Sequence, residues 1–235
     1  MRSFILILIF TLVVPAKAQQ SDFVTIDFSR ADRLAEAQQG EDLYSLPMLV
    51  QNLTANLKTD VEKFRAIYYW VSHNIGGEYH LMIENNRMRK RLKDKPEELA
   101  VWNNGFKKEV FNKLLQDKET LCSGYTFLIK EMARLAGIEC ETIEGYAPID
   151  DLDEEDLGVP NHSWNAVKLN DKWYLCDATW SSGLTDLSTF LFHFDYDDSY
   201  FLMDPTEFAK SHRPLDLNWT LLPQVAVIDT TTIKQ

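Results

Sequence analysis

The 235-residue chain carries 24 Lys and Arg against 36 Asp and Glu, a formal charge of −12, with 45% hydrophobic and 12% aromatic residues. That apolar content is enough for a substantial core and excludes a mostly disordered chain. The acidic balance argues against nucleic acid and anionic membrane surfaces as partners.

The first stretch, MRSFILILIFTLVVPAKA (1–18), has an early arginine, an apolar run from Phe4 to Val14, and small residues at Ala16 and Ala18. It reads as a cleavable secretory signal cut after Ala18. The run is too short to span a bilayer comfortably, so an exported protein, secreted or periplasmic, is predicted, with no membrane span after cleavage. Residues 19–54 are weakly patterned and are expected to form an N-terminal arm or a short helix. From Thr59 or Asp60, either of which can cap, Val61, Phe64, Ile67, Tyr68, Val71 and Ile75 recur at helical spacing, and Gly76-Gly77 closes the helix. Residues 78–105 are expected to be helical in part, with WNNG (102–105) as a break and the basic run RMRKRLK (87–93) as a solvated helix face. A short amphipathic helix should follow, with Phe106, Val110, Phe111 and Leu114 on one side.

KETLCSGYTFLIKEMARLAG is the next helix, with Tyr125, Leu128, Ile129, Met132, Leu135 and Ala136 in period and Gly137 just past its end. Cys122 and Ser123 fall at its start. A strand (IECETIEGYA), an acidic loop at 150–156 and two further strands (HSWNAVKL and KWYLCDATW) come next. The aromatic segment 192–219 is expected to pack over the sheet, and residues 223–235 to form a loose tail. Helices followed by antiparallel strands give an α+β class.

Three cysteines, Cys122, Cys140 and Cys176, leave at least one thiol unpaired or paired between molecules. There is no CxxC, HExxH or other zinc spacing, so neither a metal nor a cofactor is expected. The acidic loop lacks the ordering of a calcium loop and reads as solvated, as does DYDDSY (195–200). His73, His80, His193 and His212 have no evident partners in sequence and read as structural. Cys140 and Cys176 read as strand residues, and a disulfide between them is disfavoured if the strand 162–169 lies between theirs. A cysteine that opens an apolar helix is most often a packing residue, but Cys122 would also meet free backbone N–H groups and the positive end of the helix dipole, which favour the thiolate. Its own N–H could serve an oxyanion, and the following Gly124 would let a substrate carbonyl approach.

The hairpin supplies what such a thiol would need. With Asn170-Asp171 as a two-residue turn, Leu169 faces Lys172, Trp164 faces Asp177 and His162 faces Thr179. His162 and Asp177 then share a face as diagonal neighbours, about 7–8 Å apart at the backbone and within side-chain reach. Cys176 points to the other face.

Three motifs in order, LCSGY (121–125), NHSWN (161–165) and CDATW (176–180), with AIYYWVSHNI upstream and YFLMDPTEFAKSHRP and NWTLL downstream, resemble the transglutaminase-like superfamily in its bacterial, kyphoscoliosis-peptidase-like branch. The resemblance spans residues 55–222, the expected catalytic domain. It implies a papain-like fold, with a thiol-bearing helix packed on an antiparallel sheet. It also implies a Cys122–His162–Asp177 triad of nucleophile, base and orienting group, with Gly124, Tyr125, Trp164, Asn165 and Trp180 lining or supporting the site. The function implied is acyl transfer at amides of peptides or protein side chains through a Cys thioester, with water or an amine as acceptor. An idle binding module on the same fold is the alternative. The chain departs from the branch at NIGGEYH (74–80), and no side-chain oxyanion donor stands out, Trp102 and Gln116 being the upstream candidates.

Overall fold

The computed structural model describes residues 19–148 and 160–223. The expected signal at 1–18, the acidic loop at 150–156 and the tail from 224 onward lie outside the described residues.

Residues 19–54 form a 3-10 turn and two helices, α1 (Ser29–Ala37) and α2 (Leu46–Thr54), that lie against α3 (Asp60–Asn74). Leu49, Val50 and Leu53 of α2 are buried in the same core as Phe64, Ile67 and Val71 of α3. Thr59 caps α3 in a capping box: its hydroxyl accepts the Glu62 N–H while the Glu62 carboxylate accepts the Thr59 N–H. Arg65, buried on α3, donates to both carboxylate oxygens of Asp32 at 2.7 and 3.1 Å and pairs with Asp198. Asp198 therefore belongs to a charge network tying α3 to the aromatic segment, a correction to the solvated reading of DYDDSY.

Gly76-Gly77 does more than end α3. These residues form strand β1 (Gly76–Gly77), paired in parallel with β2 (Glu119–Thr120) immediately before the thiol-bearing helix. Between them run α4 (Tyr79–Leu92) and α5 (Pro96–Asp117). The expected break at WNNG is absent, because α5 is continuous through it. Leu99, Trp102, Phe106, Val110 and Leu114 keep the helical period across the segment, and burial of that face outweighs the cost of Gly105, about 1 kcal/mol.

Helix α6 (Cys122–Leu135) packs on a four-stranded sheet of order β5-β4-β3-β8, made of β3 (Cys140–Tyr146), β4 (His162–Leu169), β5 (Lys172–Cys176) and β8 (Arg213–Pro214). All the pairings are antiparallel. Val167, Leu169, Tyr174 and Cys176 face the main core with α3 and α6, and Ile143, Trp164, Ala166 and Leu175 form a second cluster with Phe208 on the opposite side. The chain has the predicted α+β, papain-like layering of a cysteine-bearing helix on an antiparallel sheet.

The Asn170-Asp171 turn has φ of 50° and 61°, the two left-handed positions of a type I′ turn, and it fixes Leu169 opposite Lys172. The predicted register holds to Asn165–Cys176 and stops there. Asp177 does not pair with Trp164, nor Thr179 with His162. Asp177 instead caps the short helix α7 (Ala178–Ser182), accepting the N–H groups of Thr179 and Trp180. Beyond α7, a hairpin of β6 (Gly183–Asp186) and β7 (Leu191–Phe194) and a short helix α8 (Pro205–Phe208) lead to β8.

Candidate active site

The thiol owes its position to two neighbours of α6. The β1–β2 pair delivers the chain to Cys122, the first residue of the helix, and Gly124 admits the β2 side chain beside it. A Cβ at Gly124 would lie 1.9 Å from Thr120 Oγ1. The glycine thus serves helix–strand packing, and it also lines the cleft beside Cys122. Tyr125 is fully buried and its hydroxyl donates to the Ile75 carbonyl at 2.6 Å, fastening α6 to the end of α3. Asn165 faces away from the sheet side that carries His162: its amide donates to the Thr126 and Glu141 carbonyls at 3.1 and 3.2 Å and ties α6 to the sheet. Both residues support the site from behind.

His162 and Asp177 meet at the end of the hairpin as the diagonal argument expects, although Asp177 has left the strand. The His162 Nε2 to Asp177 Oδ2 distance is 2.7 Å, and both side chains are almost fully buried. Cys122, partly exposed, lies beside the same imidazole, close enough for the ring to act on the thiol. Since Nε2 is committed to Asp177, Nδ1 is the nitrogen left for the thiol. Trp180 lies flat on the His162 ring, with centroids 5.5 Å apart, and closes it from solvent. Trp164 lies at the sheet side of the same ring, and Gly145 makes room for it: a Cβ there would meet the indole at 2.5 Å.

His212, which reads as structural in the sequence, is a fourth member. Its Nε2 lies 3.1 Å from Asp177 Oδ2 and its Nδ1 2.9 Å from the Ser211 hydroxyl. Burial holds His212 neutral, pushing its pKa below the ordinary histidine value against the pull of Asp177. The neutral ring therefore donates from Nε2 to the carboxylate and accepts at Nδ1 from Ser211. Asp177 accepts four hydrogen bonds, two from backbone N–H groups on Oδ1 and two from imidazoles on Oδ2. The ligating atoms of His162, Asp177 and His212 lie within 4.8 Å of one another, a spacing a metal ion could use. Asp177 Oδ2 and both Nε2 atoms are, however, already joined in hydrogen bonds, so the cluster is complete as a hydrogen-bond network.

The charges follow from these contacts. Burial alone would push the Cys122 thiol up, but the hydrogen bond and charge of His162, with help from Ser163, outweigh it and bring the thiol below its ordinary value. Burial disfavours the His162 imidazolium, yet Asp177 and then Cys122 over-compensate and hold its pKa well above the usual range. For Asp177, too, the imidazoles overcome burial and keep it ionised. Both shifts run in the direction that favours a thiolate–imidazolium pair over a neutral thiol and imidazole. By contrast, burial pushes Cys140 up to about 12 and Cys176 well above the ordinary value. Those two thiols are free, with β4 running between their strands.

Cys122 opens on both sides into a cleft. One lobe, about 610 Å³, lies between α4–α5 and α6–β3–β4. The other, about 170 Å³, runs beneath the β6–β7 hairpin, where Trp180 and Phe192 line it. Asn85 lines both lobes beside Cys122, a placement that nothing in its sequence context announces. Trp102 stacks on Phe106, Gln116 is exposed, and neither lines the cleft. The Cys122 N–H, free at the first position of α6, remains the backbone donor beside the sulfur.

The sequence model described as the transglutaminase-like superfamily matches residues 47–178, more than half of the chain. Human kyphoscoliosis peptidase is 35% identical over 179 residues, which cover 75% of this chain and 24% of that protein. Hillarin of Drosophila melanogaster is 26% identical over 216 residues, covering 84% of this chain and 23% of its own length. The Lim and transglutaminase domain protein ltd-1 of Caenorhabditis elegans is 25% identical over 229 residues, covering 90% and 28%. The chain spans about a quarter of the length of these relatives.

Proposed function

The chain belongs to the transglutaminase-like superfamily, and from that membership and the buried cluster around Cys122 we propose that it is a thiol enzyme acting on amide bonds of peptides or protein side chains. The observation that carries this reading is the 2.7 Å His162–Asp177 contact next to a half-exposed thiol at a helix start. Cys122 Sγ attacks the amide carbonyl carbon as the thiolate, and the oxyanion that forms takes the Cys122 N–H. The His162 imidazolium gives its proton to the leaving amine as the C–N bond breaks, which leaves a thioester and a neutral imidazole. Water or a second amine then loses a proton to His162, adds to the thioester and releases Cys122. Asp177 holds the imidazole in the tautomer and orientation that both steps need.

Hydrolysis is the favoured outcome because water needs no dedicated acceptor site. Action outside the cytoplasm is part of the same proposal and rests on the signal-like residues 1–18. Among the described residues, no helix is long and apolar enough to cross a membrane.

The test is the pH dependence of iodoacetamide labelling at each cysteine, read by mass spectrometry in the folded protein and in His162→Ala. Cys122 should label fast below the ordinary thiol pKa of about 8.5, with Cys140 and Cys176 silent. Losing His162 removes the largest of the contributions that lower the Cys122 pKa and leaves burial, which raises it, against the smaller pull of Ser163, so the labelling profile should move to higher pH than in the wild-type protein. Similar rates at all three thiols, or a Cys122 profile indifferent to His162, would reject the enzyme and favour an idle binding module.

A further inference from the structure

The basic run at 87–93 does not lie wholly in solvent. Met88 and Leu92 are buried in the small cluster under α4, and Arg89 is half-buried along the larger lobe of the cleft that opens at Cys122. On α4 it stands four residues after Asn85, one helical turn along the same face. Its Nε is shut off from solvent and has no hydrogen-bond partner among the described residues. Burial of that kind lowers its pKa from the usual arginine value, and the charges of Cys122, Glu144 and Tyr146 are near enough to act against the shift. A guanidinium that is partly desolvated and unpaired is costly unless something arrives to pair with it, and with Nε sealed off its terminal nitrogens are the donors left for a group in the lobe.

The charge of the lobe runs against that of the molecule. In a chain of formal charge −12, this lobe is lined by Arg89, Lys107 and Lys130 and by the carboxylate of Glu144. Lys130 is occupied by Glu141 at 2.6 Å, and Lys107 is exposed. Arg89 is left as the desolvated cation on this side of the thiol. Planar and forked, a guanidinium matches a carboxylate in two parallel hydrogen bonds.

Building on the thiol-enzyme reading, we infer that Arg89 is the carboxylate-binding residue of the cleft, and that the substrates are peptides presenting an acidic group one or a few bonds from the reacting amide. That group is either an Asp or Glu side chain or a chain-terminal carboxylate. Recognition and chemistry then lie on opposite walls, with α4 reading the acid while α6 and β4 carry the thiol and imidazole.

Three alkylating probes test this without a known substrate: the N-iodoacetyl derivatives of glutamic acid α-amide (acidic side chain), of glutamine as the free acid (terminal carboxylate), and of glutamine amide (neutral). In each, the Cys122 thiolate displaces iodide and forms a thioether. One acidic probe should label Cys122 about tenfold faster than the neutral one, the size of a partly desolvated ion pair, and whichever acid is favoured identifies the source of the carboxylate. Arg89→Gln should bring that ratio close to one, and Arg89→Lys should keep part of it. Arg91→Gln, which removes the same charge from an exposed position on α4, should preserve it. Equal rates for acidic and neutral probes in the wild-type protein, or a preference that survives Arg89→Gln, would overturn the inference while leaving the thiol-enzyme reading in place. A neutral probe that labels Cys122 no faster than an unfolded thiol rejects that reading, and the inference with it.

Discussion

The wall of the cleft that carries Cys122, His162 and Asp177 is continuous with the main core, in which α1, α2, α3, α6 and one face of the sheet bury a single cluster. The facing wall, α4 and α5, stands mostly on two small clusters: Leu81, Phe106, Val110 and Leu121, and Met88, Leu92 and Leu99, with Trp102 packed against both. The first wall is over-determined. Tyr68 under it donates to the Asp177 carbonyl at 2.9 Å, Tyr125 holds α6, and Asn165 holds the sheet. The second has few such tethers. A reacting group must be held to a fraction of an ångström, and it sits where independent constraints converge. If α4–α5 is the recognition wall inferred above, it can yield, and its smaller buried clusters predict that it opens more readily than the first wall.

On the proposed function, the largest expected effect comes from breaking the rigid wall at its nucleophile. On that reading, Cys122→Ala should reduce amide turnover by about a thousandfold or more with a nearly unchanged circular-dichroism melt, because only one sulfur is removed, from a partly exposed position at the mouth of the cleft. Cys140→Ala, in the buried core of the same wall, should do the reverse: turnover preserved, stability lowered by about 1 kcal/mol from the missing sulfur. Loss of activity in both variants, or in neither, would mean that the division between packing thiol and reacting thiol is misplaced.

Next comes the partner that acts through Asp177. His212→Ala removes one of four donors to that carboxylate, and a hydrogen bond to a charged group is worth about 1.5–3 kcal/mol, or about 10–100-fold in activity if it acts through the imidazole. The loss should fall on kcat, with KM little changed. His212→Asn, whose amide can donate in the same direction, should recover part of it where His212→Leu does not. If Asn and Leu behave alike, His212 contributes packing alone.

The two walls also differ in how far the sequence specified them. The helix of α3 with its Thr59 cap, the start of α6 at Cys122 and the β4–β5 register were all legible, because each depends on residues within a turn or a hairpin of one another. The diagonal His162–Asp177 pair was legible for the same reason. Its last two register positions failed because the Asp177 carboxylate captures the N–H groups of Thr179 and Trp180 and starts a helix, a local competition that strand periodicity does not register. His212 was not legible at all: it lies 35 residues beyond Asp177 and reaches it only because β8 pairs with β3. On the other wall, Asn103, Asn104 and Gly105 look like a break, and only the buried face on either side of them carries α5 through. Arg89 belongs to a run of like charges whose orientation is set by Met88 and Leu92, two apolar residues easily overlooked among five cations.

The smallest effect probes the yielding wall itself. Trp102 is half-buried, stacked on Phe106 with centroids 4.3 Å apart, and it is the side chain that touches both clusters. Trp102→Ala should cost about 1–3 kcal/mol, less than a fully buried tryptophan in a continuous core. The cost should also be local. By hydrogen exchange, amides of α4 and α5 should open before those of α3, α6 and β4 in the wild-type protein, and in the variant that gap should widen. The rate of Cys122 alkylation by iodoacetamide, which needs only the rigid wall, should stay close to wild type, while a peptide substrate held by the other wall should show a raised KM. If Trp102→Ala slowed iodoacetamide as much as it weakened substrate, the two walls would be one cooperative unit and the division of labour between them would not hold.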